Sequence, residues 1–280
     1  MSGKITAEQI AAFRQHLLED EREPATIRKY LRNVGEFAAW LAGEPLCKEQ
    51  VIRWKEHLQK AGQQPVTVNG KLSALNRFFA FLGRSDCRVK HLRIQRRMFR
   101  STGRDLTRED YARLVETAQS MGRERLALLI ETICATGIRV SEVKYITVEA
   151  ARAGQTTISL KGKLRTILLP GKLCRKLLKY AGKKKIASGE VFLTRSGRGL
   201  SRRQIWAEMK ALCNRAGVER SKVFPHNLRH LFARTFYRAC RDVVKLADVL
   251  GHASIETTRI YLISTGAEHA RQLERLGLVS

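Results

Sequence analysis

The sequence lacks several features that would assign it to a familiar class of protein. Its six cysteines form no C-x-x-C pair, which favours reduced thiols over disulfides or a zinc site. No window of about eighteen uninterrupted apolar residues could cross a bilayer, and the first residues contain no signal-peptide core. We therefore expect a cytoplasmic chain with no metal, no cofactor and no membrane span.

Glycine-rich motifs for nucleotide phosphates are missing as well. The chain contains no P-loop and no G-x-G-x-x-G fingerprint, so nucleotide hydrolysis is not expected. It also contains no internal repeat. Its 280 residues, of which 44% are hydrophobic, are enough for two domains that each bury a core.

Acidic residues are scarce relative to basic ones. The chain has 53 Lys and Arg against 26 Asp and Glu, which gives a net charge of +27 and a pI near 10.5. The excess is concentrated, because residues 152–222 hold 19 basic and three acidic side chains, and residues 88–104 hold seven basic ones. Such patches favour nucleic acid as a partner, with a solvated basic surface or a ribosome-like RNA binder as the alternatives.

The first 82 residues show helical periodicity in four segments. Thr6 and Gln9 have the spacing of a capping box, and Pro24 suits the first turn of the second helix. The apolar stripes of these segments predict a small four-helix domain. After residue 85 the periodicity lapses and basic residues gather. We therefore expect a first domain over residues 1–97, a basic linker over residues 98–105 and a second domain over residues 106–280.

The second domain is predicted to be mixed α/β, mostly helical with one β-hairpin. Thr107 is a suitable N-cap, and the strongly apolar residues 123–135 predict a buried helix that stops at Gly137. Residues 156–160 and 165–169 are rich in β-formers and flank a glycine-containing turn, which is typical of a hairpin.

Polar groups recur within an apolar stretch near the C-terminus. His226, Arg229, His252 and Tyr261 lie among residues that look like core. Buried Arg and His are costly without partners and usually persist where a ligand satisfies them. An arginine with two histidines suits a phosphate, and a nearby tyrosine suits a nucleophile. Arg139 follows the end of the core helix, where it could also meet an anion.

In their order and context, these motifs resemble the tyrosine recombinase family, which includes phage integrases and Xer-like enzymes. The first four helices are similar to the family's SAM-like core-binding domain. The resemblance implies a two-domain, mainly α enzyme that clamps duplex DNA between its domains. Over residues 106–265 the matching residues are Thr136-Gly137-Ile138-Arg139-Val140-Ser141-Glu142, Lys161-Gly162-Lys163, His226-Asn227-Leu228-Arg229-His230, Leu250-Gly251-His252 and Tyr261.

The resemblance implies site-specific cutting and rejoining of DNA without a metal or an external energy source. Tyr261 would attack the scissile phosphate, forming a 3′-phosphotyrosine and releasing a 5′-hydroxyl that later attacks in reverse. Arg139 and Arg229 would bind the nonbridging oxygens. The outcome would be DNA integration, excision, inversion or resolution. Strand exchange would take place in a homo-tetramer on two DNA sites. The C-terminal segment would dock on a neighbouring protomer or pack on its own domain.

The remaining site residues have implied roles, each with an alternative. His226 is the candidate base and His252 a donor to a phosphate oxygen. Lys161 is the preferred acid for the 5′-oxygen, and Lys163 in the same turn is the rival. Glu142 is expected to orient the site, although the pair it could form with Arg139 would also suit an ordinary surface. His230 is favoured as structural over a metal ligand. Tyr261 could alternatively be a core residue.

Further basic side chains are predicted to contact the DNA backbone. A type IB topoisomerase shares the same chemistry but would relax supercoils without paired sites. A noncatalytic DNA-binding relative would have lost motif residues, and none is missing here. The predicted DNA contacts are Arg28, Lys29, Arg32, Lys71, Arg77, Arg93, Arg96, Arg97, Lys163, Arg165, Arg202 and Arg203.

Overall fold

A computed structural model of the chain describes residues 4–94, 102–160, 163–252, 254–259, 261 and 274–276. The chain divides into two compact units, Met1–Arg96 and Arg97–Ser280. Each unit has its own hydrophobic core.

The first unit is built from four α-helices. The predicted capping box is present at the first of them, where the Thr6 side chain accepts from the Gln9 amide and Gln9 accepts in return from the Thr6 amide. Phe13, Phe37 and Phe78 are fully buried between the helices. The helices are α1 (Ala7–Glu19), α2 (Pro24–Leu41), α3 (Lys48–Lys60) and α4 (Pro65–Phe81).

Two asparagines of α4 hold the segment that follows it. Asn76 pairs with the backbone of Val89 through both its amide oxygen and its amide nitrogen, at 3.1 and 2.9 Å. Asn69 pairs with the backbone of Leu92 in the same way, at 2.7 and 2.9 Å. The first unit therefore continues past the point where the apolar periodicity lapses. The limits of the linker stay a prediction, because residues 95–101 lie outside the described part of the chain.

The second unit surrounds a buried central helix with shorter helices and one β-hairpin. Short 3-10 segments connect several of them, among them Val140–Tyr145 after the central helix. The helices are α5 (Arg108–Ser120), α6 (Glu124–Thr136), α7 (Val148–Ala153), α8 (Gly171–Lys183), α9 (Arg202–Lys210), α10 (Cys213–Ala216), α11 (Pro225–Cys240), α12 (Val243–Leu250) and α13 (Ile255–Arg259).

Helix α6 is the central element, because α5, α8 and α11 all pack against it. Thr107 caps α5 as predicted, through a capping box with Asp110. The antiparallel hairpin pairs β1 (Gln155–Leu160) with β2 (Lys163–Leu168), in a register that sets Leu160 opposite Lys163. The predicted fold class, two mainly helical domains with one small hairpin, is confirmed.

Candidate active site

The Arg229 side chain is the centre of the candidate site. It is only 1% exposed, although it lies on α11 within a domain of high positive charge. Its Nη1 donates to the Gly137 carbonyl, and its Nη2 donates to the Leu250 carbonyl at 2.9 Å. The same Nη2 lies 2.8 Å from His252 Nε2, and Nε lies 3.4 Å from Tyr261 Oη. One guanidinium thus contacts a carbonyl that is 92 positions away from it in sequence.

The start of α11 is anchored independently of Arg229. Pro225 occupies the first turn, where its fixed φ and missing N–H cost nothing. In the same turn, the buried Asn227 amide donates to the carbonyls of Arg104 and Lys222, both at 2.7 Å. Because these bonds fix the first turn of the helix, they also fix the direction in which Arg229 leaves it.

Gly137 allows α6 and α11 to approach each other closely. It ends α6 in the left-handed conformation, with φ +62°, which favours glycine. A Cβ on Gly137 would overlap the Phe232 ring and would lie 3.0 Å from Leu250. The glycine of this motif is therefore needed both for its backbone angle and for its small size, and its carbonyl is a partner of Arg229.

The two nitrogens of His252 are both occupied. Since Arg229 can only donate hydrogen bonds, His252 Nε2 accepts from Arg229 Nη2. His252 Nδ1 therefore carries the proton of the neutral ring and donates to Thr258 Oγ1 at 2.8 Å. Thr258 is fully buried on α13. Its hydroxyl thus fixes both the orientation of the imidazole and the tautomer.

Both histidines that face the arginines have lowered pKa values. Burial lowers the pKa of His252 to about 4, assisted by the positive charges of Arg229, Arg139 and Arg165. Burial followed by the charges of Arg229 and Arg139 also lowers the pKa of His226. Both rings are consequently neutral at pH 7, so each can accept a proton.

Lowering the pH should destabilise the fold through His252. The unfolded ring has a pKa of about 6.5, so between that value and pH 4 the unfolded chain binds more protons than the folded one. The contribution of neutral His252 to the free energy of unfolding is therefore fully present above pH 6.5. It is lost as the pH falls toward 4, by at most about 1.4 kcal/mol per pH unit. Urea unfolding at several pH values should give a shallower decline for His252→Gln. Parallel curves for the two proteins would contradict the lowered pKa.

Tyr261 is packed as a core residue and is also part of the site. It is 2% exposed and belongs to a cluster with Ala233, Leu246 and Leu250 that is separate from the main core of its unit. Its ring is stacked on His252 at 5.6 Å between centroids and 12° between planes. The two interpretations of this tyrosine are therefore compatible, since the apolar cluster holds the ring while its hydroxyl lies within 3.4 Å of Arg229.

His226 and His230 also lie close to the Tyr261 ring. Their ring centroids are 5.9 and 4.5 Å from that of Tyr261, and 4.6 Å from each other. More than a third of His226 is exposed although the surrounding protein partly desolvates its ring, and His230 is half-buried. Within the described part of the chain, no three His, Cys, Asp or Glu side chains are grouped as metal ligands.

Arg139 is held by the carboxylate of Glu142. Glu142 is completely buried, and it accepts hydrogen bonds from the Arg139 amide and from Arg139 Nη1, both at 2.8 Å. Burial alone would raise the pKa of Glu142, but the Arg139 amide and the charge of Arg165 outweigh it and lower that pKa. The Arg139 side chain remains 40% exposed, so the predicted pair with Glu142 leaves part of the guanidinium open.

The structure contradicts the predicted contact of Arg165 with the DNA backbone. The Arg165 side chain is only 8% exposed and turns into the unit. Its Nη1 donates to Glu142 at 2.6 Å and its Nη2 donates to the Val249 carbonyl at 2.9 Å. It cannot track a phosphate backbone from this position.

Four predicted site or DNA-contact groups lie outside the described part of the chain. They are Lys161, Arg96, Arg97 and the side chain of Lys163. Their roles stay predictions.

The other predicted DNA contacts fall into two groups. Arg28, Lys29, Arg32, Arg93, Arg202 and Arg203 are exposed. Lys71 and Arg77 are already engaged with acidic side chains, because Lys71 pairs with Glu36 at 2.6 Å and Arg77 pairs with Asp20. The exposed group is the better candidate for contact with a polyanion, although Arg32 in this group also pairs with Glu36 at 3.7 Å.

Sequence reasoning missed Thr258, Asn227 and the two carbonyl partners of Arg229. Backbone carbonyls carry no signature in a sequence, and a single Thr is usually exposed. The sequence signal for Thr258 is limited to its position three residues before Tyr261.

The chain matches the phage integrase family over residues 104–268 and the N-terminal SAM-like domain of phage integrases over residues 10–86. It therefore belongs to the phage integrase family, and the resemblance to tyrosine recombinases is confirmed.

Several named proteins are similar to this chain. Tyrosine recombinase XerA of Pyrococcus furiosus is 30% identical over 184 residues, which is 63% of each chain. Tyrosine recombinase XerD of Brucella suis is 37% identical over 146 residues, which is 49% of this chain and 47% of that protein. The alignments thus span about half to two thirds of these relatives. A lambda integrase dimer bound to a COC′ core site shares the fold, with a TM-score of 0.73, 16% identity and coverage of 91% and 94%.

None of the described helices combines the length and apolar character needed to cross a membrane.

Proposed function

We propose that the chain is a site-specific DNA recombinase that cleaves and rejoins DNA through a covalent 3′-phosphotyrosine. The observation that carries this proposal is the convergence of Tyr261 Oη and His252 Nε2 on the buried guanidinium of Arg229. A phenol nucleophile, an imidazole and a fixed cation are the groups that transfer of a phosphodiester requires. Membership of the phage integrase family supports the same reaction.

In the proposed reaction, Tyr261 Oη forms a bond to phosphorus and the bond from phosphorus to the 5′-oxygen breaks. The phenol proton moves to His226, which is neutral at pH 7 and near the Tyr261 ring. The leaving 5′-oxygen takes a proton from Lys161. Reversal by a 5′-hydroxyl restores the phosphodiester, so bond energy is conserved. Arg139 and Arg229 stabilise the charge that develops on the nonbridging oxygens.

His252 can change its role when a phosphate enters. A nearby anion raises the pKa of an imidazole, because it favours the charged ring. A protonated His252 would donate from Nε2 to a phosphate oxygen while Nδ1 keeps its bond to Thr258. The predicted donor role of His252 thus needs the anion, since Nε2 accepts from Arg229 in its absence.

Covalent trapping on DNA that flanks the gene would test the proposal. The purified chain is incubated with a fragment library of this DNA, denatured, and the adducts are captured and sequenced. We expect adducts at a defined sequence, joined through a 3′-phosphate. Recovery no greater than with a Tyr261→Phe control would contradict the proposal. Relaxation of supercoiled DNA without a preferred site would instead indicate a topoisomerase.

Thr258→Val should slow adduct formation by about tenfold, because His252 Nδ1–H then loses its buried acceptor and the ring its fixed tautomer. Thr258→Ser keeps the hydroxyl and is expected to retain most of the rate. The measurement is the rate of adduct formation at saturating DNA as a function of pH. If the valine and serine variants have identical pH profiles, Thr258 does not act through His252.

DNA binding should depend steeply on salt. If six to ten phosphates are contacted, affinity should fall by about 10³-fold or more between about 50 and 200 mM salt. Arg202→Gln removes an exposed cation and should reduce the slope of log K against log salt by about one. The matched control is Lys71→Gln, whose ammonium already pairs with Glu36. A binding constant that is insensitive to salt would contradict the proposed interface.

We also propose that four copies act together on two DNA sites, with the C-terminal segment of each docked on a neighbour. Family membership supports this arrangement. Size measurement of the protein–DNA complex by light scattering would test it, since a single copy on each DNA site would contradict the tetramer.

A further inference from the structure

One buried carboxylate in the second unit is shared by two arginines. Glu142 is completely buried, and its Oε1 accepts from Arg139 Nη1 while its Oε2 accepts from Arg165 Nη1 at 2.6 Å. The Arg139 amide donates to the same Oε2 at 2.8 Å. The three side chains therefore carry a net charge of +1, which is the charge of one unpaired arginine.

Arg165 connects three elements that border the site. It belongs to strand β2 of the hairpin, its Nη1 reaches the 3-10 segment that follows α6, and its Nη2 reaches the Val249 carbonyl near the end of α12. Gly251 follows α12 and precedes His252. A Cβ at this position would overlap the aliphatic part of Arg165, so only glycine fits there. The backbone beside His252 is thus fitted around this one side chain.

The charges explain why a second arginine is needed. A buried Glu142 that faced Arg139 alone would cancel its charge, and the site would lose one of the two cations that hold the phosphate. With Arg165 sharing the carboxylate, Arg139 keeps a net positive field and a partly exposed guanidinium.

We propose that Arg165 is a positioning residue for the reaction. It neutralises and anchors Glu142, so that Arg139 is held in place without losing its charge toward the phosphate. The proposal rests on the proposed recombinase function. It assigns Arg165 a role that differs from direct DNA contact, and that is consistent with its burial.

Three variants separate charge sharing from a merely structural role. Arg165→Met leaves Arg139 and Glu142 with no net charge, Glu142→Gln leaves two uncompensated arginines, and the double variant restores +1. The readout is the rate of covalent adduct formation at saturating DNA, on a nicked duplex carrying the sequence found by trapping. We expect Arg165→Met to be slower by about 10- to 100-fold. The double variant should remain within about tenfold of the unaltered chain.

The double variant also covers the case in which Arg165→Met does not fold, because it buries no unpaired charge. A folded double variant that is slower than the unaltered chain by more than about tenfold would overturn the proposal. So would an Arg165→Met variant that cleaves at the unaltered rate.

The salt dependence of binding distinguishes this role from DNA contact. The double variant makes the distinction, because it lacks Arg165 but keeps a net charge of +1 at Arg139. We expect it to bind DNA with the unaltered slope of log K against log salt, whereas the loss of a direct phosphate contact of Arg165 would lower that slope by about one. A lowered slope in the double variant would overturn the proposal. Absence of any adduct with the unaltered chain would instead mean that the proposed function itself has failed, so the two failures are distinguishable.

Discussion

A Tyr261→Phe variant is expected to bind duplex DNA like the unaltered chain and to form no covalent adduct with it. The substitution removes only the hydroxyl, whose one hydrogen bond in the described part of the chain is the 3.4 Å contact with Arg229 Nε. The ring keeps its packing against Ala233, Leu246 and Leu250, so the change in the free energy of unfolding should stay within about 1 kcal/mol. Denaturing gels of protein mixed with nicked duplex give the adduct, and gel shifts give the affinity.

Tyr237→Phe is the matched control for this experiment. Tyr237 packs against the same apolar cluster, but its ring makes none of the contacts with Arg229 or His252 that Tyr261 makes. This control should form adduct at the unaltered rate. Adduct that persists in Tyr261→Phe would remove Tyr261 from its role as nucleophile.

An Arg229→Lys variant should lose both cleavage and stability. A lysine keeps the charge but not the planar fork of donors, so transition-state stabilisation should fall by about 10²- to 10³-fold in rate. The Gly137 carbonyl binds one guanidinium nitrogen, and the Leu250 carbonyl and His252 bind the other, so a single ammonium nitrogen cannot take both positions. With about 1–3 kcal/mol for each buried group left unsatisfied, we expect a loss of about 2–5 kcal/mol in the free energy of unfolding. Adduct rates and urea unfolding give the two quantities.

Arg234→Lys separates the two effects, because Arg234 lies on the same helix in a structural position. Its Nη2 donates to the Leu106 carbonyl at 2.8 Å and its Nη1 pairs with Asp105 at 2.9 Å. This control should lose stability. At temperatures well below its unfolding transition, however, it should form adduct at the unaltered rate. If Arg229→Lys and Arg234→Lys are equally impaired in cleavage, the effect of Arg229 is structural and its proposed contact with the phosphate is wrong.

Several parts of the fold follow from local sequence alone. The capping boxes at Thr6 and Thr107, the helix end at Gly137 and the hairpin depend on neighbouring residues, and all four agree with the structure. Local rules suffice there because hydrogen bonds of caps and turns join residues a few positions apart. The roles carried by the family motifs, including that of Lys161, remain proposals.

The burial and the ion pairs of the basic side chains could not be predicted in the same way. In the sequence, nothing distinguishes Arg165 and Lys71 from Arg202. In the structure, Arg165 is buried against Glu142 and Lys71 pairs with Glu36. Arg202, in contrast, is exposed. The partner of Arg165 lies 23 positions away. A long cationic side chain takes the position that its surroundings allow, and distant segments supply those surroundings only after folding.

By itself, the sequence determined the helices, the hairpin and the excess of positive charge. Those features are set by periodicity, caps and composition, which act locally or over the whole chain. Only the tertiary structure decided that Thr258 holds His252 in one tautomer and that Arg165 shares Glu142 with Arg139. The reason is that burial and charge pairing depend on which remote segments come together, and the spacing of residues along the chain does not encode those contacts.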